Sequence, residues 1–320
     1  MKLKRILLIL AALAAAVAAA EVGWRFLYTS SFGPTTNPHY VVHDATLGWR
    51  YEPNVTICHA AADFNIEVHI NSRGERGGEM NNTEPVPRAR IVLLGDSLAF
   101  GWGVAVENAM ATLLEKQLSA GVRNLAVSGY ATDQQYLLLQ QKITDIRPAA
   151  VVLIACRNDI EEVARDRMYG KRKPQFILEN GKLTLASSPG AESFLEGASV
   201  LYRSIRKRVW ESNARIINKD DETRAKELIK QLIAEMSQLT RLNNANLLVV
   251  HEGMEWIETP PPVPHVNHPE KYLNVADLLQ KAGATARVTF PNDPHWNERG
   301  HAVVADAIAA RLNDYGWLAK

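Results

Sequence analysis

From residue 90 onward, apolar and polar positions alternate between two rhythms. Ile91-Val92-Leu93-Leu94 is an apolar run of strand length that breaks at Gly95, and residues 107–116 beyond it read as a helix. Residues 149–155 form a continuous apolar run that includes the β-branched Val151, Val152 and Ile154, the pattern of a strand buried on both faces. Residues 123–127 and 246–251 predict further strands, and 285–288 a short one. Helices are predicted over 134–146, 191–212, 222–243, 275–282 and 298–313. Within 176–185, Asn180-Gly181 separates two apolar stretches and predicts an inserted hairpin. Strands that alternate with helices in this way predict an α/β fold, a mostly parallel sheet covered on both faces.

The pattern before residue 90 differs. Phe64 to Ile70 alternates strictly, as a half-buried strand does. With Gly48-Trp49-Arg50 and the turn-rich Asn71-Ser72-Arg73-Gly74, it predicts a small β-rich preface packed on the main domain. Residues 29–38 read as a linker, and the proline-rich 259–269 as irregular. The resulting division is 1–28 as a membrane or export segment, 29–89 as linker and preface, and 90–320 as the main domain.

Residues 1–28 open with Lys2, Lys4 and Arg5, followed by uninterrupted apolar sequence over 6–20. Two readings stand. Ala18-Ala19-Ala20 satisfies the small-residue rule for signal-peptide cleavage. Alternatively the segment is retained, with Trp24 and Phe26 at the interface, the basic end cytoplasmic and the bulk outside. The anchor is the preferred reading, and either one exports the chain.

Composition narrows the function classes. With 320 residues, 47% apolar and 22% charged, the chain is globular rather than disordered. Its 36 Lys+Arg against 35 Asp+Glu leave a net charge of +1, so no global field attracts nucleic acid. Two cysteines, Cys58 and Cys156, make neither a disulfide scaffold nor a zinc cluster; whether they pair stays open. No metal site is expected, because His265 and His268 lack a carboxylate or thiolate companion. No cofactor is expected either, since Gly101-x-Gly103 lacks the rest of a dinucleotide fingerprint. The basic run Arg165, Arg167, Lys171, Arg172, Lys173 reads as a solvated face rather than a contact to an anionic glycan.

Candidate chemistry gathers where parallel strands should end. Ser97 follows the first strand, in a strand–turn–helix context that suits a nucleophile. Ser128-Gly129-Tyr130 follows the second, Arg157-Asn158-Asp159 the third, and Asp293-Pro294-His295 opens the last helix. Each has a plain alternative: Gly129 as a turn glycine, Asn158 and Asp293 as helix caps, His295 as a surface residue. Their coincidence at one end of one sheet favours a shared site.

These four blocks resemble those of the SGNH (GDSL) hydrolase superfamily. Gly95 to Val104 and Asp293 to His301 are similar to its bacterial, membrane-associated branch, as is the preface. Two departures are visible: Cys156 stands where a glycine is usual, and one residue rather than two separates Asp293 from His295. The resemblance implies a three-layer αβα, flavodoxin-like fold. It assigns Ser97 as nucleophile, His295 as general base and Asp293 as its orienting acid, with an oxyanion hole from the N–H groups of Ser97 and Gly129 and the Asn158 side chain. The implied partner is an acyl-ester substrate, with an acylated envelope polysaccharide as one form. The implied place is the bacterial inner membrane with the catalytic domain in the periplasm, or the periplasm or medium after cleavage. An O-acyltransferase using the same triad and a non-catalytic envelope module remain as alternatives, and nothing in the sequence indicates oligomeric state.

Overall fold

The computed structural model describes residues 2–31, 40–79, 90–213, 217–259 and 270–318. Helix α1 (Lys2–Ser31) contains a 24-residue apolar segment, Leu3–Phe26, long and apolar enough to cross a membrane. The helix continues through Ser31, so the linker read at 29–38 begins later than expected; residues 32–39 lie outside the described residues.

Two antiparallel hairpins follow, β1 (Val41–Asp44) with β2 (Gly48–Tyr51), and β3 (Val55–Ala60) with β4 (Asn65–Ile70). Their inward residues Trp49, Tyr51, Ile57, Val68 and Ile70 join the main core. The preface is thus packed into the larger domain rather than appended to it.

Next come β5 (Arg90–Leu94), the single turn α2 (Ser97–Phe100), α3 (Met110–Leu118), β6 (Gly121–Asn124), α4 (Thr132–Ile146), β7 (Ala150–Ala155) and α5 (Asp159–Val163). Two more hairpins pair β8 (Arg167–Met168) with β9 (Lys171–Arg172), and β10 (Gln175–Glu179) with β11 (Lys182–Ser187). Then follow α6 (Phe194–Ala198), α7 (Val200–Asn213), α8 (Lys219–Leu242), β12 (Asn246–His251), β13 (Lys271–Asn274), α9 (Ala276–Gly283) and α10 (Glu298–Asp314).

The main sheet has the order β13-β12-β7-β5-β6 and is parallel throughout. Numbered by appearance this is the doubly wound order 2-1-3-4-5, whose switch point lies between β5 and β7. Helices α3 and α10 pack together on one side, and α4, α5 and α8 on the other. Every residue of β7 is buried, as a strand covered on both faces requires.

Three further expectations change. The edge strand is Lys271–Asn274, not 285–288. Thr285 and Ala286 instead donate backbone N–H groups to Ala282 O at 3.2 Å, extending the end of α9. The strand read at 123–127 starts earlier and leaves the ladder at Asn124, although Leu125 N still reaches Leu93 O at 2.9 Å. The helix read over 191–212 breaks at Ser199. There Glu21 of α1 accepts from Ser199 Oγ (2.7 Å), Val200 N (2.8 Å) and Leu201 N (3.1 Å), capping α7 from outside its own segment. The bulk of the proline-rich stretch, 260–269, with His265 and His268, lies outside the described residues.

Candidate active site

The strand β5 delivers Ser97. Gly95 takes φ +152°, and a Cβ there would meet Ala99 Cβ at 2.6 Å, so glycine alone admits the sharp exit from strand to α2. Asp96 then caps that turn, its Oδ1 accepting from Leu98 N at 2.9 Å.

Ser97 Oγ lies 2.7 Å from His295 Nε2, although the two residues are 198 positions apart. The other ring nitrogen, Nδ1, is hydrogen-bonded to Asp293 Oδ1, and the backbone N–H of His295 donates to the same oxygen at 2.9 Å. With Nδ1 as the donor, Nε2 is left as acceptor for the serine hydroxyl. Burial raises the pKa of Asp293, but the two His295 donors, the histidine charge and Trp102 outweigh it and hold the carboxyl below its ordinary value. Asp293 caps no helix, because α10 is capped by Asn297, which accepts from Arg299 N and Gly300 N.

The expected oxyanion residues line the same cleft, of about 780 Å³, as Ser97 and His295. Gly129 adopts φ +79° with the Tyr169 ring against it, where a Cβ would fall 2.5 Å from Cε2. Among the described residues, the backbone N–H groups of Ser97 and Gly129 donate to no other residue. Asn158 makes no cap bond to α5. Its Nδ2 donates instead to Asp96 Oδ2 at 3.1 Å, which fixes the amide beside Ser97. Cys156 is free and buried, and its thiol donates to the other oxygen of Asp96 at 3.2 Å. Burial and the charges of Asp96 and Asp159 push that thiol well above its ordinary pKa. Cys58 is also free.

Beneath this surface, Asp159 accepts from Thr132 N and Cys156 N, both at 3.1 Å, tying the third block to α4. Glu162 accepts from Tyr169 Oη at 2.8 Å while its Oε2 makes no hydrogen bond. Burial pushes its carboxyl up to about 7, with smaller downward pulls from Tyr169 and Asn158.

The preface contributes more than sequence reasoning anticipated. Tyr51 Oη donates to Ser128 Oγ and accepts from Ser128 N, both at 2.9 Å, and Trp49 Nε1 donates to Ser128 O at 3.3 Å, so β2 holds the Gly129 loop. Asp63, between β3 and β4, accepts from Asn292 N (2.8 Å) and Nδ2 (2.7 Å), one residue before Asp293. Trp102 stacks on the His295 ring at 5.6 Å. The buried Arg76 guanidinium donates to Phe100 O at 2.7 Å and to Gly101 O and Val104 O, closing the loop after α2.

Fold and site together define a doubly wound α/β protein with a Ser–His–Asp constellation at the carboxyl end of its parallel sheet. The chain belongs to the GDSL-like lipase/acylhydrolase family, whose model matches residues 93–303. Among solved structures it is similar to TesA, at 14% identity over 70% of this chain and 98% of that one, with a TM-score of 0.42. It is also similar to a putative G-D-S-L lipolytic protein from Desulfitobacterium hafniense (11% identity, 69% and 98% covered, TM-score 0.41). An acetyl xylan esterase, AlAXEase, matches at 11% identity, 70% and 99% covered, with a TM-score of 0.40. No curated protein sequence matches the chain.

Proposed function

We propose that this protein is an exported serine esterase that cleaves short acyl esters, acetyl among them, from cell-envelope glycans. The observation that carries the reading is the unbroken relay from Asp293 through His295 to Ser97, with the 2.7 Å Nε2···Oγ contact.

In this mechanism Ser97 Oγ attacks the ester carbonyl while His295 Nε2 takes its proton, and Asp293 stabilises the imidazolium without accepting a proton. The carbonyl oxygen becomes an oxyanion facing the N–H groups of Ser97 and Gly129 and the Asn158 side chain. Collapse expels the alcohol, protonated by His295, and leaves an acyl group on Ser97. Water, deprotonated by the same histidine, then attacks the acyl-enzyme and regenerates the hydroxyl. Helix α1 serves as the anchor in this reading, with the basic residues Lys2, Lys4 and Arg5 on the cytoplasmic side and the catalytic domain outside.

The test is a panel of acetyl to long-chain nitrophenyl esters and acetylated glycans, with free sugars as competing acceptors. Release of free acetate, saturating with acetyl substrates and absent from Ser97→Ala, supports an esterase. Transfer of most acyl groups to sugar would replace it with an acyltransferase, and no turnover at all would remove the catalytic reading.

A further inference from the structure

The basic run between residues 165 and 173 separates into different fates in the fold. Lys173 is fully buried, its ammonium 2.5 Å from Asp133 Oδ2 and within hydrogen-bond reach of Arg165 O and Pro174 O. Arg165 pairs with Glu161, four residues earlier. Lys171 does neither: it lines the catalytic cleft, and among the described residues no carboxylate comes within salt-bridge distance of it.

Its ammonium has one aromatic neighbour, and its hairpin is held from two sides. The ammonium lies over the Trp49 indole, 5.5 Å from the ring centroid, and Trp49 in turn holds Ser128 beside Gly129. Tyr169, two residues earlier on the same hairpin, covers Gly129 and leaves half its surface exposed. The hairpin turn rests on α7, since a Cβ at Gly170 would meet the Lys207 side chain at 3.0 Å. That packing brings Arg203 and Lys207 close to Lys171. Desolvation, then these two cations, pull the Lys171 ammonium down to about 8. An ammonium at a cleft wall with no carboxylate in reach attracts an incoming anion. Glu252 lines the same cleft and accepts from Trp296 Nε1 at 3.4 Å, so the negative charge sits with Trp296.

We infer that Lys171 forms an anion subsite of the catalytic cleft, which takes a carboxylate or phosphate carried by the acylated glycan. The inference rests on the esterase reading for the word substrate, but not for the binding itself. It narrows the substrate class from acylated glycans in general to acidic ones.

The experiment is calorimetric titration of the full chain in detergent with three tetramers: oligogalacturonate for carboxylate, glycerol phosphate for phosphate, and neutral xylotetraose. Wild type is expected to bind at least one charged tetramer tenfold or more tightly than xylotetraose, and less tightly as salt is raised. Lys171→Met should remove that preference and Lys171→Arg should retain most of it, with melting temperatures confirming that each variant is folded. Which charged tetramer binds identifies the anion. Equal affinity for charged and neutral tetramers, or a Lys171→Met protein that keeps the preference, overturns the subsite. Fluorophosphonate labelling of wild-type Ser97 is read in parallel: its absence would sink the esterase reading alone.

Discussion

The imidazole of His59 meets the indole of Trp102 edge-on, with ring centroids 4.0 Å apart, and the same indole stacks on His295. A residue of the preface thereby presses on the ring that covers the proposed base. Phe64 continues the contact by packing against Phe290 at 5.2 Å, on the segment that leads to Asp293. The β3–β4 hairpin therefore braces both partners of Ser97.

Loosening that brace should cost activity before it costs the fold. Asp63→Ala releases Asn292 at an exposed position, and Trp102→Leu removes the indole. Each is expected to lower kcat by about tenfold, equivalent to roughly 1.4 kcal/mol in the barrier, while KM changes less. Steady-state kinetics on nitrophenyl acetate, with melting curves alongside, checks it; unchanged kcat in both variants would leave the hairpin a structural role only.

Asp96 and Asn158 should act as a unit. Asn158→Ala removes the proposed side-chain oxyanion donor and should lower kcat by about 10²–10³. Asp96→Ala keeps that donor but frees its amide to rotate, so a loss of the same order is expected. The double variant should be little worse than either single one, because the second change removes an interaction already lost. A double-mutant cycle in kcat measures this directly.

The pH dependence of stability should show opposed contributions. Burial and Arg76 depress His59 to about 4 and His301 to about 3, from an ordinary 6.5. The unfolded chain takes up those protons first, so the stability they allow above about 6.5 is lost as pH falls towards those values. Glu162 is raised from 4.5 to about 7, so it favours the fold below about 4.5 and loses that advantage as pH rises to about 7. Glu162→Gln mimics the neutral acid. Its melting temperature should match wild type near pH 5 and exceed it by pH 8, and an offset that does not change with pH would refute the assignment.

The two free thiols should differ sharply in reactivity. Cys58 is half-buried, whereas Cys156 is enclosed and its thiolate disfavoured. Iodoacetamide on the native protein should modify Cys58 and spare Cys156 until denaturant is added, as read by peptide mass spectrometry.

How much of this was legible in the sequence follows from the range of each interaction. The apolar runs of β5, β7 and β12 are buried on both faces, so each announces itself locally. The edge strand β13 does not: Lys271 is exposed, Leu273 alone of its four residues is buried, and a proline-rich segment precedes it. Ser97, Asp293 and His295 were found through motif spacing, and the structure brings them together. The binding of Asn158 by Asp96 was not legible, because an asparagine at the start of a helix is equally well a cap. The hairpin brace was hidden for a simpler reason: Asp63 and Asn292 are 229 residues apart, and no local pattern records such a pairing. In the run at 165–173, charge alone could not distinguish the buried Lys173 from Lys171 at the cleft.

Acylation of Ser97 is the step on which the proposed chemistry depends, and intact-protein and peptide mass spectrometry after rapid quenching reads it. Wild type mixed with nitrophenyl acetate should carry one acetyl group, located on Ser97, that decays with the turnover rate. His295→Ala should acquire it orders of magnitude more slowly, and Ser97→Ala not at all. Turnover with no acetyl on Ser97, or an acetyl group found on another residue, would rule Ser97 out as the nucleophile.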